Sequence, residues 1–238
     1  MALPILNAPT YDIQVPSTKE KITFRPFLVK EEKILLLAME DGTTGSLNQA
    51  LKQIVNNCTF EKADVDKLAT FDLEYIFLRI RAKSVGEVST IKLLCEDDGE
   101  TYADVDIPLE NIKVTFPKGH NNTVKITDTV GVVFKYPSYD TLEMLDNLDD
   151  ELSGVERVFK LMSSCVDKIY DDETVHERVD FNDEELDTFL NSLSPQQFAD
   201  VQVFFDTMPT LQHQVQYTNP KTKKKNKATL EGLQSFFA

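Results

Sequence analysis

The stretch from Leu68 to Ile107 reads LATFDLEYIFLRIRAKSVGEVSTIKLLCEDDGETYADVDI and changes character once, at Gly86. Before Gly86 the apolar residues recur at helical spacing, and Thr70 followed by acidic residues is typical of a helix start. After it, Glu87–Cys95 and Tyr102–Ile107 resemble strands around a turn that contains Asp-Gly. The stretch therefore predicts a helix followed directly by a β-hairpin, which indicates an α+β fold.

Outside this stretch, the same signals predict further helices and strands. A helix is expected from about Val29, because Leu35, Leu36 and Met39 fall on one face, and Gly42 is expected to end it. The other predicted elements are hairpin strands Tyr11–Val15 and Lys21–Arg25, helix Leu47–Asn57, strands Ile112–Phe116, Val124–Ile126 and Gly131–Tyr136, helices Tyr139–Leu148 and Ser153–Ile169, helices Asp183–Leu190 and Pro195–Thr207 after capping boxes, strands Leu211–Thr218 and Asn226–Leu230, and a last short helix Glu231–Phe237.

Together these elements predict an α+β protein with four parts. They are an N-terminal hairpin with helices, a central antiparallel β region, an acidic helical segment, and a C-terminal β-hairpin with a short terminal helix. We expect a mixed N-terminal region at 1–136 and an acidic region with the C-terminal hairpin at 137–238. A single integrated domain is the alternative, since 238 residues suit either arrangement.

The net charge of −15 is concentrated in one part of the chain. Residues 138–191 contain 17 Asp and Glu against four Lys and Arg, which leaves −2 for the rest. We expect this stretch to be a solvated helical surface or a docking face for a basic partner, with Asp183, Glu184 and Asp187 as candidate contact residues. Because no broad basic face is present, nucleic acid is not expected as a partner.

The composition is that of a globular protein, with 41% hydrophobic and 27% charged residues. No membrane span is expected, because the longest apolar runs are far shorter than the ~20 residues that one needs. No basic region typical of a signal peptide precedes the first apolar residues. Cys58, Cys95 and Cys165 are widely spaced and odd in number, so we expect free thiols and a reducing cytoplasm.

Residues that could carry chemistry are scattered along the chain. His120, His176 and His213 lie far apart, and there is no Cys-x-x-Cys pair to begin a zinc site. The sequence contains neither a Gly-x-Ser-x-Gly elbow nor a glycine-rich phosphate loop, and its free cysteines fit core positions better than a nucleophile. We therefore expect no enzyme, no catalytic residue, no metal, no cofactor and no small-molecule substrate.

One basic cluster stands out, with five lysines between Lys221 and Lys227 at the predicted tip of the last hairpin. A solubilising charged turn explains it, and a grip on phosphate or on an acidic protein surface is the alternative. No aromatic residue lies between these lysines to stack on a base.

Three segments resemble the baseplate hub and hub-assembly proteins of T4-like bacteriophages. They are FRPFLVKEEKILLLAME at residues 24–40, LATFDLEYIFLRIRAKSVGE at 68–87, and YTNPKT at 217–222 followed by LEGLQSFF at 230–237. The segments lie in the order and at the separations of that family. The resemblance therefore spans nearly the whole chain.

This resemblance implies a non-enzymatic protein of a contractile-tailed phage, which helps to build the baseplate hub by contacting other hub proteins. It implies a location in the host cytoplasm during assembly, and in the tail baseplate if the protein stays in the virion. The alternative is an acidic assembly chaperone or adaptor that binds a hub component transiently and is absent from the virion. A cryptic enzyme is the third hypothesis, and the oligomeric state is left open.

The resemblance also bears on metal binding. The resemblance implies that some members of this family carry Cys-x-x-Cys pairs in the two late hairpins, and that these pairs resemble a zinc ribbon. Here the first hairpin keeps only Cys95, followed by Glu-Asp-Asp, and the second has Asn219-Pro-Lys-Thr222 where cysteines would stand. We therefore expect turn chemistry, rather than a metal, to hold the two hairpins together.

Besides the acidic stretch, two further places are candidate partner-binding sites. Arg25, Lys30, Glu31 and Glu32 give a strand-to-helix junction a dense mix of charges, which either caps and solubilises the helix or meets a partner. At the C-terminus, Phe236 and Phe237 are adjacent aromatic residues where a chain usually frays unless it is docked. They are expected to pack within the chain or, in the interpretation we favour, to anchor on a hub partner.

Overall fold

The computed structural model describes residues 7–147 and 153–236, and its mixture of helices and small antiparallel sheets confirms the α+β fold. Within those residues no helix is both long and apolar enough to span a bilayer. The elements are β1 (Tyr11–Gln14), β2 (Lys21–Phe24), α1 (Val29–Asp41), α2 (Thr44–Cys58), α3 (Thr70–Ser84), β3 (Val88–Leu94), β4 (Tyr102–Pro108), β5 (Lys113–Thr115), β6 (Thr123–Lys125), β7 (Gly131–Phe134), α4 (Tyr139–Asp146), α5 (Gly154–Cys165), β8 (Val166–Tyr170), β9 (Val175–Glu177), α6 (Asp183–Asn191), α7 (Pro195–Asp206), β10 (Thr210–Thr218) and β11 (Lys225–Glu231).

The chain forms two compact units. Unit 1 comprises the described residues of Met1–Thr115 and Thr210–Ala238, and unit 2 comprises those of Phe116–Pro209. Unit 2 is therefore an insertion between β5 and β10, two strands of unit 1 that pair antiparallel with Thr115 opposite Thr210. The expected organisation into domains 1–136 and 137–238 stays a prediction, and the compact units divide the chain at other positions.

Unit 1 is built around α3. This helix is apolar on most of its circumference, and Leu73, Ile76 and Ile80 are fully buried. Beside it lie the β1–β2 hairpin, α2 and a three-stranded sheet in the order β11–β10–β5, and the β3–β4 hairpin contacts β10 of that sheet. The guanidinium of Arg79 donates to the backbone carbonyls of Leu109 and Ile112, so the same helix also fixes the turn that leads into β5.

Unit 2 packs helices on a four-stranded antiparallel sheet in the order β6–β7–β8–β9. Its core is partly aromatic, since the rings of Phe134 and Phe204 stack with centroids 5.1 Å apart. The buried core residues are Val132, Phe134, Met162, Cys165, Val166, Leu186, Leu190, Val201 and Phe204. Both predicted capping boxes are present, at Asn182 before α6 and at Ser194 before α7.

The predicted helix Ser153–Ile169 is wrong beyond Cys165. At Val166 the backbone turns extended, with φ −66° and ψ 123°, and β8 begins. Strand β8 pairs with β7 on one side and with β9 on the other, and β9 was not predicted. Pairing with β7 outweighs the helical spacing of the sequence, and the β-branched Val166 and Ile169 suit a strand.

The last predicted helix, Glu231–Phe237, is also wrong. Glu231 is still paired in β11, Gly232 has a positive φ of 69°, and only a 3₁₀ turn over Leu233–Phe236 follows. Glycine adopts this φ without steric cost, which ends the strand abruptly. Phe237, and Leu148 at the predicted end of α4, lie outside the described residues.

Helix α1 ends as predicted but turns an unexpected face inward. The N–H of Gly42, at φ 70°, donates to the carbonyl of Ala38 and closes the helix. However, Leu36 and Met39, two of the three residues that define the apolar face, are 55% and 62% exposed. The buried positions of α1 are Ala38 and Glu31, because Glu31 is needed inside for an ion pair.

Candidate partner-binding site

The charged junction between β2 and α1 contains a buried ion pair. The guanidinium of Arg25 holds Glu31 with two hydrogen bonds, Nη2 to Oε1 at 2.9 Å and Nη1 to Oε2 at 3.3 Å. The N–H of Leu28 donates to Oε2 of Glu31 at 2.9 Å. Burial alone would raise the pKa of Glu31, but the hydrogen bond from Arg25, the one from Leu28 and the nearby positive charges leave it below its usual value.

This geometry gives Arg25 and Glu31 a role in folding. The side chain of Glu31 is fully buried and that of Arg25 is 12% exposed, so a partner protein has little access to either. The other two junction residues are on the surface. Lys30 is 66% exposed and lies 3.4 Å from a Glu31 oxygen, and Glu32 is exposed.

The acidic face of unit 2 is presented by α6. Because Asn182 caps this helix, Asp183 and Glu184 occupy its first turn and are exposed. Asp183 pairs with Arg178 across the turn that precedes the helix. Asp187, one turn further on, is half-buried and accepts a hydrogen bond from Ser163 Oγ at 3.4 Å. The three carboxylates therefore lie on one helix, and Asp183 and Glu184 are more open to a partner than Asp187.

At the C-terminus the structure gives Phe236 the first of the two expected roles, packing within the chain. Its ring is completely buried, and its backbone carbonyl accepts a hydrogen bond from Ser89 Oγ at 2.8 Å. Ser89 belongs to β3, so the C-terminal turn is docked on the central hairpin of its own unit. Phe236 thus packs within the chain, and Phe237 lies outside the described residues.

The tips of the β3–β4 and β10–β11 hairpins are joined by a polar cluster that we call the hairpin clasp: Asp97, Asp98, Asn219, Thr222 and Asn226. Oδ1 of Asp97 accepts from Nδ2 of Asn219 at 2.9 Å and from Nδ2 of Asn226 at 2.8 Å. Its Oδ2 accepts from the Thr222 hydroxyl at 2.5 Å, and Asn219 also donates to Asp98 at 3.0 Å. Turn chemistry therefore does hold the two hairpins together.

The clasp does not fit zinc. Zinc in structural sites takes thiolates and imidazoles, whereas the groups here are carboxylates and amides. The carboxylate oxygens are already occupied by hydrogen bonds from Thr222, Asn219 and Asn226, which lower the pKa of Asp97. The side-chain amides of Asn219 and Asn226 donate to the carboxylate oxygens that a cation would otherwise bind. Cys95 is fully buried beside the turn, and burial raises the pKa of its thiol.

Sequence reasoning missed two members of this arrangement, Asn226 and Tyr217. Asn226 is 6% exposed and also accepts a hydrogen bond from the N–H of Asp97, while the Tyr217 hydroxyl donates to the carbonyl of Leu94 at 2.6 Å. An Asn inside a strand pattern is the one signal in the sequence, because asparagine is depleted in strands unless it has a partner.

Possible metal ligands, thiols and His120 were compared with what a reactive site would need. No group of three or more His, Cys, Asp or Glu within 7–147 and 153–236 could hold a metal ion. Burial raises the pKa of the Cys58 thiol to about 11 and that of the Cys165 thiol to about 12, so both stay protonated at neutral pH. His120 is held between Thr207 Oγ1 and the Tyr136 hydroxyl, each at 2.9 Å.

The sequence was compared with models of known protein families, with curated proteins and with solved structures. Residues 8–238 match the family model of the T4 bacteriophage base plate protein. No curated protein and no solved structure matches the chain. The match confirms the resemblance to a T4-like baseplate protein, and such a family implies contacts with other phage baseplate proteins. Because the match covers nearly the whole sequence, this chain belongs to the T4 bacteriophage base plate protein family.

Proposed function

We propose that this chain is a non-enzymatic protein of the baseplate hub of a T4-like phage, which acts in hub and tail assembly by binding other hub proteins. Membership of the baseplate family supports a structural or assembly role. The resemblance of residues 24–40 and 68–87 to hub proteins supports the hub as the place of action.

The observation that carries the proposal is the unequal charge of the two units. Phe116–Pro209 contains 20 Asp and Glu against seven Lys and Arg, whereas the rest of the chain contains 20 against 18. None of the described acidic side chains in unit 2 is buried. A surface of one sign attracts a partner of the opposite sign and accelerates association. The proposed partner is therefore a hub protein with a basic surface.

The proposed contact residues are Asp183, Glu184 and Asp187 of α6. Lys30 and Glu32 at the exposed start of α1, and Phe237, stay predicted contacts. Arg25, Glu31 and Phe236 are not among the contact residues that we propose, because they are largely or fully buried in unit 1.

Purification of a tagged chain from infected cells tests the hub role. Stable co-purification with hub components, together with presence in finished particles, supports the proposal. Transient association with a hub component and absence from finished particles would overturn it in favour of the assembly chaperone. Turnover of a small molecule by the pure protein would overturn the non-enzymatic role.

The acidic contact is tested by neutralising the three carboxylates, with the substitutions D183N, E184Q and D187N made together. The association rate with the co-purified hub partner should fall, and it should become less sensitive to salt, because exposed charges are screened over about 8 Å at physiological ionic strength. Asn182 and Glu185, which cap α6, are left intact.

The matched control neutralises three exposed carboxylates of unit 1, with E61Q, E96Q and D104N. It changes the net charge by the same amount without touching α6. An equal loss of association rate in this control would show that net charge, and not the α6 face, matters.

A further inference from the structure

The solvent side of α1 carries large apolar side chains that the described residues of unit 1 leave more than half exposed. Leu36, Leu37 and Met39 are 55%, 54% and 62% exposed. Around the helix axis Leu36 lies about 60° from Met39 and about 100° from Leu37, so the three side chains share one broad face. A cluster of large exposed apolar side chains on one helix marks an interaction surface rather than ordinary surface variation.

The charges around this patch are arranged symmetrically. Lys33 stands three residues before Leu36, and Glu40 stands three residues after Leu37. On a helix, residues three and four apart are neighbours, so Lys33, Leu36, Leu37 and Glu40 form one contiguous surface. Both charged side chains are exposed, and within the described part of the chain neither takes part in an ion pair.

From this pattern we propose that the patch binds a second copy of this chain, with the two α1 helices antiparallel about a two-fold axis that passes between Leu36 and Leu37. The axis places the leucines of one copy against those of the other. It also carries Lys33 of each copy to Glu40 of the other, so that two identical ion pairs close the interface.

Self-complementarity is the reason to name a second copy as the occupant. A patch whose charges are reversed across its centre matches its own two-fold image, and an unrelated helix has no need of that symmetry. Helix α1 has 13 residues and is about 20 Å long, so the pair alone is smaller than a standard interface of about 1,600 Å². The dimer is therefore weak, with a dissociation constant on the order of micromolar. This inference does not depend on the hub role.

Sedimentation of the full chain over a concentration series tests the proposal. The wild-type mass should rise from 27.1 kDa towards about twice that value as concentration increases through the micromolar range. Each single variant, K33E or E40K, places like charges together at both ends of the interface and should weaken dimerisation by about tenfold.

Mixing the two variants separates an interface effect from a folding effect. The K33E chain offers two acids and the E40K chain two bases, so the mixture should dimerise about as well as the wild type. K92E, at an exposed position on β3, is the matched control and should leave dimerisation unchanged.

Two results would overturn the proposal. One is a wild-type chain that stays monomeric at about 300 µM, well above the expected dissociation constant. The other is a dimer that K33E and E40K leave intact, or that the mixture of the two variants fails to restore.

Discussion

The two units of the molecule differ in whether they bury polar side chains. Among the described residues, every buried polar or charged side chain belongs to unit 1: Glu31, Thr59, Asp72, Ser89, Asn219 and Asn226. The described part of unit 2 buries apolar side chains and tyrosine, and none of its described carboxylates is buried. The unit that is nearly neutral is thus the one with charges inside, while the strongly acidic unit has an apolar core.

This difference separates two uses of charge within one chain. In unit 1 a buried carboxylate is held by specific donors, so its removal should damage the fold. In unit 2 an exposed carboxylate interacts mainly with water and salt, so its removal should hardly affect the fold but should change how the surface meets a partner. The following predictions test that separation.

The largest effect is expected for Phe236→Ala in unit 1. The ring is completely buried, and such truncations cost roughly 3–5 kcal/mol of the free energy of unfolding. Urea unfolding followed by circular dichroism measures the loss, and Tyr102→Ala, at a position that is 60% exposed, is the control with little effect. A Phe236→Ala variant as stable as the wild type would show that the C-terminal turn is not part of the core.

Glu31→Ala should cost about 3 kcal/mol, because it leaves the Arg25 guanidinium largely buried without its carboxylate. The double variant R25M/E31L removes both charges and should recover part of the loss. Thermal unfolding of the three proteins forms the test. A double variant less stable than Glu31→Ala would mean that the junction needs the two charges for more than their mutual attraction.

Asn219→Ala should cost about 2 kcal/mol, because the fully buried amide donates to both carboxylates of the hairpin clasp and its oxygen accepts from the N–H groups of Lys221 and Thr222. Hydrogen exchange should rise at both hairpin tips.

A metal chelator should leave the wild-type melting curve unchanged, and one tightly held zinc per chain would contradict this prediction.

The clasp also makes stability depend on pH. Hydrogen bonds from Thr222, Asn219 and Asn226 lower the pKa of Asp97 below its ordinary value of 3.8. The unfolded chain then binds protons more readily than the folded one, so stability is present above about pH 4 and falls as pH drops further. In Asn219→Ala this acid dependence should be shallower.

Gly131→Ala tests the packing of unit 2, since an added Cβ would overlap the Tyr170 hydroxyl oxygen across the β7–β8 pair. The ring tip must move, at a cost of about 1–2 kcal/mol. The double variant G131A/Y170A removes the clash, and the two effects should therefore be strongly non-additive in unfolding experiments. Additive effects would place the strain elsewhere.

The smallest effect on stability is expected for D183N/E184Q/D187N in unit 2. The three carboxylates are exposed or half-buried, so their loss should change the free energy of unfolding by less than about 1 kcal/mol. Chemical unfolding measures this. A loss as large as that of Glu31→Ala would remove the contrast between the two units.

Local rules of the sequence determined much of the secondary structure. The helix of Thr70–Ser84, the hairpin around Asp97–Gly99 and the caps at Asn182 and Ser194 depend on neighbouring residues alone, and all are present. The clasp was foreseen in kind, because turn residues stand where cysteines were expected. The segregation of acidic residues was also visible in the sequence, since charge is a matter of composition.

Only the tertiary structure decided the rest. Val166–Tyr170 is a strand because β7 and β9 supply hydrogen-bond partners that helical spacing cannot reveal. Helix α1 turns Glu31 inward and Leu36 outward, because Glu31 forms a buried ion pair with Arg25, which follows β2. Phe236 is buried because the C-terminal turn contacts α3 and β11 and is bonded to Ser89 of β3. In each case the deciding partner comes from another element of the fold, and a local pattern carries no information about which element will be there.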